Sequence, residues 1–419
     1  MRRRLLLTAA LAAAVCAACP ASAAPARGAW GLDQSQMDLG VRPGDDFFRY
    51  VNGRWYDSYQ FKPDETYVGA RAGLGASHRA RIRDIIEQSA RTTPQPGGAA
   101  AAVGALYAAY LDTDRIEQLG LTPLAGDLKA IRAVSSRADL VSAFGRARAE
   151  GWASPFETSI FYDLKAPGWM RLTLAPGGLG MGSREAYLDD SPAGARMREA
   201  YLGYVGAMLA LAGEADPAGK ARAILDLETR MAKPQWPSSQ AYDLLKTAND
   251  RTPAELKAEA PGLDWDGFLK AAGADGLETV IVRQPPAMAP LVEVVNSTPV
   301  ETWKAWLVFH LLADNHDYLP AAVRDPSFEF YGRLQSGQQA PEPRWEGGVN
   351  LVQEDLGQAV GRLYVERYFT PQAKARASAI FDNIKLAMRA RLHISVLTAW
   401  PRIAVNSLIR ISSLWGTTH

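Results

Sequence analysis

One helix-start signature occurs twice in this chain and limits its fold more than any other sequence feature. Residues 252–255 and 298–301 both read Thr-Pro-x-Glu, with a threonine at the cap, a proline at the first helical position and a glutamate three residues after the cap. The two polar side chains can satisfy backbone N–H groups that lack a partner inside the helix. The pairs Asp216-Pro217 and Thr370-Pro371 open further helices without the complete box. The signature therefore predicts a mainly helical protein.

Two segments also show apolar residues at helical spacing. One series, at positions i, i+3, i+4, i+7, i+8 and i+11, comprises Trp303, Trp306, Leu307, His310, Leu311 and Asp314. The second series comprises Leu356, Val360, Leu363, Tyr364 and Arg367. A period near 3.6 residues predicts two amphipathic helices, each with one face packed against a core.

Residues 159–174 break the helical period. Runs of β-branched, aromatic and apolar residues at 159–164 and 170–174 flank Lys165-Ala166-Pro167-Gly168. Two such runs around a Pro-Gly turn are typical of a β-hairpin. We therefore predict a mainly α fold of many helices with a small β-hairpin near residues 159–174.

Residues 1–23 have the features of a secretory signal peptide. Three arginines precede an apolar run from Leu5 to Ala18, and Ala21-Ser22-Ala23 matches the small-x-small cleavage pattern. The run is too short to span a bilayer comfortably, and no later segment has eighteen uninterrupted apolar residues. We expect an exported protein, periplasmic or extracellular, with a linker at 24–37 and no membrane span; a retained anchor is the alternative.

Both cysteines of the chain, Cys16 and Cys19, lie inside this leader. Cleavage after Ala23 would leave neither a disulfide nor a thiol nucleophile. Either cysteine could instead accept a lipid, so a lipid-anchored protein is the second option for localisation.

The charge balance excludes one class of partner. The chain has 46 Lys and Arg against 45 Asp and Glu, and removing the three leader arginines leaves 43 against 45, a net charge of −2. No field of one sign is then available to attract nucleic acid or an anionic membrane. We expect no nucleic-acid partner.

Metal chemistry is limited by the five histidines, which are His78, His310, His316, His393 and His419. A helix-borne zinc site of the form H-E-x-x-H needs two histidines four residues apart on one helix face, and this motif does not occur in the sequence. His310 and His316 are six residues apart, which separates them by roughly 120° around a helix. We therefore predict no metal ligand and no catalytic residue in this chain, and we expect His310 to be a core histidine.

The glycine-rich stretch at residues 177–182 looks like a nucleotide-binding loop only at first sight. The Gly-x-Gly-x-x-Gly register that starts at Gly178 ends on Ser183, no Gly-Lys-Ser/Thr follows, and no βαβ unit surrounds it. We predict a flexible connection that leaves the hairpin.

The sequence DDFFRYVNGRW at residues 45–55 raises the question of a catalytic acid pair. Asp45 or Asp46 can cap a helix of about two turns, and Asn52-Gly53 can end that helix in the left-handed conformation. A structural helix explains these residues, whereas an acid–base pair would need partners that separate the two pKa values.

Residues 41–55 closely resemble the opening signature of the neprilysin-like zinc metallopeptidases, in the form typical of the bacterial oligopeptidases. Five further segments match in the same order: Leu106-Tyr107 with Asp112 and 120–124; 227–232; 299–303; Phe330-Tyr331-Gly332 with Pro343-Arg344-Trp345; and 361–369. The resemblance identifies residues 38–392 as a neprilysin-like peptidase N-terminal domain.

This resemblance implies a mostly helical, two-lobed, exported enzyme that encloses short peptides in a central cavity. In the family, zinc is held by H-E-x-x-H and a downstream glutamate, and an Asn-Ala-Phe-Tyr segment binds the substrate backbone. None of these residues can be carried over to this sequence. A substrate-binding arginine of some animal members is replaced here by Tyr67 or Val68. Zinc is thus expected in full-length relatives and not in this chain.

The similarity fades within a few residues of Leu392, and Pro401 would break the helix expected there. We therefore expect residues 393–419 to be a divergent tail that follows a frameshift or premature stop in a peptidase gene, which leaves the two-lobed architecture incomplete. The chain would then be inactive alone, with short peptides and the missing C-terminal peptidase part as its partners. A lobe that binds peptides without cleaving them is the alternative, and an unstable product that exposes apolar helix faces is the third hypothesis.

Overall fold

The computed structural model describes residues 34–68, 72–91, 97–166 and 168–396. The predicted signal peptide 1–23 lies outside these residues, as do most of the predicted linker 24–37 and all but the first four residues of the predicted tail 393–419. The boundaries at 23, 37 and 392 therefore stay predictions. The chain divides into two compact units, residues 1–65 and 66–419.

Helices dominate the described residues, as the sequence predicts. The α-helices are α1 (Phe47–Ser58), α2 (Ala72–Arg91), α3 (Ala99–Leu111), α4 (Thr113–Leu119), α5 (Ala125–Ala133), α6 (Arg137–Glu150), α7 (Arg184–Leu188), α8 (Pro192–Leu211), α9 (Pro217–Ala232), α10 (Ser238–Ala241), α11 (Pro253–Glu259), α12 (Trp265–Ala271), α13 (Pro285–Ser297), α14 (Val300–Asp314), α15 (Ala321–Ser327), α16 (Arg344–Tyr368) and α17 (Pro371–Val396). A π-helical segment, Phe328–Gln335, follows α15 directly. No helix in this part of the chain is both long and apolar enough to cross a membrane.

The first unit contains α1, which carries most of the DDFFRYVNGRW sequence. Asp46 caps this helix, because its carboxylate accepts a hydrogen bond from the Arg49 amide at 2.8 Å. The predicted end at Asn52-Gly53 is wrong, since α1 continues to Ser58. Gly53 is instead buried against Asp38, where an added Cβ would lie 2.5 Å from the Asp38 Cβ. A close approach between two chain segments, rather than a helix end, requires the glycine.

The capping signature predicted for two helix starts of the second unit forms at one of them and not at the other. Thr252 forms the complete capping box with Glu255 that the sequence predicts. The equivalent prediction for Thr298 is wrong, because its hydroxyl donates to the Val294 carbonyl at 2.7 Å and so satisfies the end of α13. Helix α14 begins two residues later, at Val300, without a side-chain cap.

The predicted hairpin is confirmed and belongs to a larger sheet. Its strands are β1 (Phe156–Tyr162) and β2 (Met170–Pro176), which pair antiparallel. Two three-residue strands, β3 (Asn249–Arg251) and β4 (Val280–Val282), extend the sheet in the order β1-β2-β4-β3. Strand β4 runs parallel to β2 and antiparallel to β3. Pro167, in the predicted turn, lies outside the described residues.

The main core of the second unit surrounds α14. The predicted apolar stripe is confirmed, since Trp303 and Trp306 are fully buried and His310 is 5% exposed. A second, smaller cluster packs α2, α3 and α16 together through Ile82, Ile86, Val103, Tyr107, Val349, Val352 and Val360. Helix α16 kinks at Leu356, and the predicted stripe after the kink packs Val360 into this cluster.

Gly145 in α6 provides a test of the packing between α6 and α12. An added Cβ would lie 2.5 Å from the Phe268 carbonyl oxygen and 2.7 Å from the Ala271 Cβ, so Gly145→Ala must push the two helices apart. We expect a loss of about 1–3 kcal/mol in the free energy of unfolding, measured by urea denaturation. The matched control is Gly203→Ala in α8, where nothing lies within 4 Å of the added atom. Alanine favours the helix there, so the control should stabilise by up to about 1 kcal/mol; equal effects of the two substitutions would contradict the packing.

Candidate functional site

A fully buried carboxylate, Glu228, lies at the centre of the second unit. The hydroxyls of Tyr187 and Tyr201 donate to its Oε2 at 2.6 and 2.7 Å. Trp306 Nε1 donates to Oε1 at 2.9 Å, and His310 Nε2 lies 2.9 Å from the same oxygen. Because an ionised carboxylate only accepts hydrogen bonds, this His310 nitrogen carries a proton. Each oxygen of Glu228 therefore receives two donors.

Four helices supply the five side chains of this Glu228 network. Tyr187 lies on α7, Tyr201 on α8, Glu228 on α9, and Trp306 and His310 on α14. The two α14 residues are four apart, which places them on one helix face and lets both reach the same carboxylate oxygen. The network therefore joins four helices at one buried point.

The network sets the protonation of its members. Burial opposes charging of the His310 imidazole, but the hydrogen bond and the charge of Glu228 outweigh it and raise the His310 pKa above 6.5. Burial and the nearby Glu228 charge raise the pKa values of Tyr187 and Tyr201 well above 10. Both tyrosines therefore remain hydrogen-bond donors throughout the neutral pH range.

The His310 ring also forms part of the wall of a cavity of about 450 Å³, which we call the His310 cavity. Its charged lining residues are Arg148 from α6, Glu157 from β1, Arg283 after β4, and Asp314 at the end of α14. Phe144, Trp152, Phe156 and Leu179 supply much of its apolar wall. The volume lies in the range typical of small-molecule sites, although polar and charged groups make up more of this lining than apolar ones do.

The two acids of the cavity keep contact with solvent, but the protein around them raises the pKa of each. Desolvation raises the Glu157 pKa above its ordinary value, although the Gly178 amide hydrogen bond acts against this shift. The Asp314 carboxylate opens onto the cavity, yet the surrounding walls desolvate it enough to raise its pKa as well. Each carboxylate raises the pKa of His310, and the charge of Asp314 raises that of Glu157. The two acids and the imidazole therefore form one electrostatic group.

Residues 177–182 form a packed wall of this cavity, so the prediction of a flexible connection is wrong. Gly178 adopts a positive φ of 74°, and an added Cβ would lie 2.6 Å from the Trp306 ring. The Gly180 carbonyl accepts a hydrogen bond from the Tyr331 hydroxyl at 2.9 Å, and the Met181 amide donates to the Tyr187 hydroxyl at 2.9 Å. Gly178 and Gly180 are needed because the backbone there lies directly against aromatic side chains.

The described residues do not fit a zinc site. None of their His, Cys, Asp and Glu side chains form a group of three that could hold a metal ion. His310 is confirmed as a core histidine and is engaged by Glu228, while His316 Nδ1 lies 2.8 Å from the Ala313 carbonyl. His316 lies beyond the end of α14, so the two histidines do not share one helix as the sequence argument assumed. The side chains of His393 and His419 lie outside the described residues.

Sequence reasoning missed the role of Glu228, although a signal for it exists. The buried residues of α9 include Ala221, Ile224, Leu227 and Met231, and Glu228 lies among them on the same face. A glutamate within an apolar helical stripe indicates a buried carboxylate that needs donors. Which residues donate cannot be read from α9, because they come from three other helices.

The acids at the start of α1 have structural roles. Asp46 caps the helix, and Asp45 lies 3.4 Å from Arg42 in an exposed ion pair. These contacts therefore give no support to an acid–base role of Asp45 and Asp46.

Comparison with known proteins gives matches along most of the chain. The model of peptidase family M13 matches residues 43–399. Endothelin-converting enzyme-like 1 of Rattus norvegicus is 25% identical over 398 residues, which cover 89% of this chain and 50% of that protein. Endothelin-converting enzyme 1 of Homo sapiens is 23% identical over 371 residues, or 85% of this chain and 48% of that protein. The chain thus spans about half the length of the curated relatives it matches.

Two solved structures also match most of this chain over about half of their own length. Mycobacterium tuberculosis zinc metalloprotease ZMP1, in a crystal structure with an inhibitor, has a TM-score of 0.78 at 31% identity, over 88% of this chain and 55% of that chain. PEPO from Lactobacillus rhamnosis has a TM-score of 0.70 at 21% identity, over 84% of this chain and 56% of that chain, and this likeness concerns the fold alone. These neighbours confirm the predicted mainly helical fold.

The Glu228 network predicts a large effect of one isosteric substitution. Glu228→Gln places an amide NH₂ where one carboxylate oxygen accepts two hydrogen bonds, so buried donors lose their partners. We expect the free energy of unfolding to fall by about 1–3 kcal/mol or more in urea denaturation at neutral pH. The exposed Glu199→Gln substitution in α8 is the control and should stay within about 0.5 kcal/mol. An unchanged free energy of unfolding in Glu228→Gln would show that the four donors do not depend on the charge of Glu228.

The raised His310 pKa predicts a pH dependence of stability. Because the folded pKa is higher than the unfolded value near 6.5, the contribution of His310 is complete below pH 6.5 and is lost as pH rises through the folded pKa. The stability difference between wild type and His310→Gln should therefore shrink between pH 6 and pH 9, measured by urea denaturation at each pH. Exposed His78→Gln, the control, should show no such trend. A stability difference between wild type and His310→Gln that grows with pH would contradict the raised His310 pKa.

Proposed function

The chain belongs to peptidase family M13, and we propose that it forms the N-terminal, non-catalytic part of a zinc metallopeptidase that cleaves short peptides. The family membership confirms the resemblance to the neprilysin-like zinc metallopeptidases. The observation that carries the proposal is that the family model covers residues 43–399 while the sequence holds no H-E-x-x-H motif.

The proposal that these 419 residues are inactive alone has a chemical basis. In metallopeptidases the bound zinc polarises the substrate carbonyl and lowers the pKa of its water. Two histidines at helical spacing and a glutamate base are needed to hold and use such an ion. His310 and His316 are engaged otherwise, so no step of hydrolysis can be assigned to them.

Within this proposal, the described residues supply a scaffold rather than reacting groups. The Glu228 network joins four helices of the second unit, and the His310 cavity opens beside it. Short peptides are proposed as substrates of the whole enzyme because the relatives include a zinc metalloprotease and endothelin-converting enzymes. The part of the relatives that this chain does not cover is the proposed partner.

Export is proposed separately, on the leader pattern alone. Residues 1–23 combine three arginines, an apolar run and a small-x-small site. A periplasmic or extracellular protein is the first proposal, and a lipid-anchored one is the second.

Metal analysis and a cleavage assay test the proposed function together. The full chain, purified without chelators, should contain far less than one zinc per molecule. It should also leave fluorogenic short peptides intact, since it lacks the residues that hold a catalytic zinc. M. tuberculosis ZMP1, assayed in parallel with and without a zinc chelator, is the positive control. One tightly bound zinc per chain with chelator-sensitive cleavage would overturn the proposal.

A further inference from the structure

Helix α17 carries an apolar stripe that no described residue covers. Ile380, Phe381, Ile384 and Met388 are between 42% and 61% exposed. With about 3.6 residues per turn they fall within an arc of roughly 100°, so they form one face of the helix, which we call the α17 stripe. None of the four belongs to either apolar cluster of the described residues, and no other described element packs extensively against α17.

The opposite face of α17 is polar. Asp382 and Arg389 lie on it, and Lys385 at its edge forms an ion pair with Asp382 at 2.7 Å. Four neighbouring apolar side chains bordered by charged ones mark a surface that another element covers. A helix with one apolar and one polar face gains most of its stability by packing the apolar face. The α17 stripe therefore requires an occupant.

The sequence that follows α17 has a complementary pattern. Residues 397–419 lie outside the described residues, so only their sequence enters the argument. Apolar residues recur at i, i+4, i+7 and i+11, which are Ala404, Leu408, Ile411 and Trp415. The residues that a helix would place opposite them are all polar: Arg402, Asn406, Arg410 and Ser413. With Pro401 at the first helical position, this spacing predicts an amphipathic helix over 402–415.

The length of the connection predicts how this segment meets α17. Helix α17 ends at Val396, and five residues, 397–401, separate it from the predicted helix. A connection this short is usual between neighbouring helices that run antiparallel. Both helices advance by about 1.5 Å per residue. If residue 402 lies beside residue 396, then Ile411 comes beside Met388 and Trp415 beside Ile384. One register thus places two residues of the segment on the α17 stripe.

The position of the segment in the chain favours it over a second copy as the occupant. A short connection holds the segment near the stripe at a local concentration on the order of millimolar. A second copy has no such advantage and would need that concentration in solution. The match to the family model ends at residue 399, so residues 402–415 do not belong to the part that the relatives share.

We propose that residues 402–415 form a helix that packs antiparallel on the α17 stripe of the same chain. The segment then covers apolar surface, and any other partner must displace it to reach α17. This contact requires neither zinc nor cleavage, so the inference goes beyond the proposed function and does not depend on it.

Paired cysteines in the full chain test the register. The two natural cysteines, both within residues 1–23, are first replaced by serine. Met388→Cys with Ile411→Cys, and Ile384→Cys with Trp415→Cys, should each form a disulfide within one chain under mild oxidation. Mass spectrometry of the digested monomer identifies the linked peptides.

Arg389→Cys with Ile411→Cys is the matched control. Arg389 is exposed and lies next to Met388 along α17, but on the polar face. The control pair should form the disulfide at least about tenfold more slowly than the Met388 pair. Equal rates in the two pairs would overturn the proposal. A disulfide that joins two chains would also overturn it, and would assign the stripe to a second copy.

Hydrogen exchange tests the contact without cysteines. Leu408→Asp places a charge on the apolar face of the segment and should speed amide exchange at residues 380–391 at least about tenfold. Asn406→Asp adds the same charge on the polar face and should leave this exchange as in wild type. Unchanged exchange at α14 verifies that the rest of each variant is folded. Equal exchange at residues 380–391 in wild type and Leu408→Asp would show that the segment does not cover the stripe.

Discussion

The second unit depends on the burial of one charge, the carboxylate of Glu228. Moving a carboxylate out of water costs several kcal/mol unless donors replace its hydration. Here the donors come from three helices besides the one that carries the acid, so the requirement for full hydrogen bonding restricts the positions of all four. The same contacts place the His310 ring in the cavity wall. The glycine-rich wall follows from this packing, because only residues without Cβ let the backbone approach the Trp306 ring.

The parts of the fold that depend on local chemistry could be predicted from the sequence. Thr252 and Glu255 cap α11 through contacts within four residues, and the hairpin of β1 and β2 closes through a short turn. Thr298 shows the limit of such reasoning. Its hydroxyl can satisfy either the end of α13 or the start of α14, and the geometry of the preceding helix decides between them. Strands β3 and β4 could not be predicted, because three residues are too few to show a period. Their pairing also joins segments that are far apart in the sequence.

Less of the candidate site than of the fold could be predicted from the sequence. His310 could be assigned to the core from its spacing on α14, and this assignment is correct. Its partner Glu228 is 82 residues away, and the pairing of β2 with β4, which brings Arg283 to the cavity, joins strands more than 100 residues apart. A lone glutamate in an apolar stripe signals that donors must exist, but only the packed structure shows which ones. Arg283 gives no such signal, since it follows a three-residue strand.

Two sets of acids raise the pKa of His310, and they differ in how the protein satisfies them. Glu228 is satisfied entirely by the protein, which makes its network a rigid element that needs no ligand. Glu157 and Asp314 line an open cavity together with Arg148 and Arg283, and both acids remain exposed to solvent. The hydrogen bond between Glu228 and His310 holds this ring from behind the cavity wall, so the buried network also fixes the position of the wall.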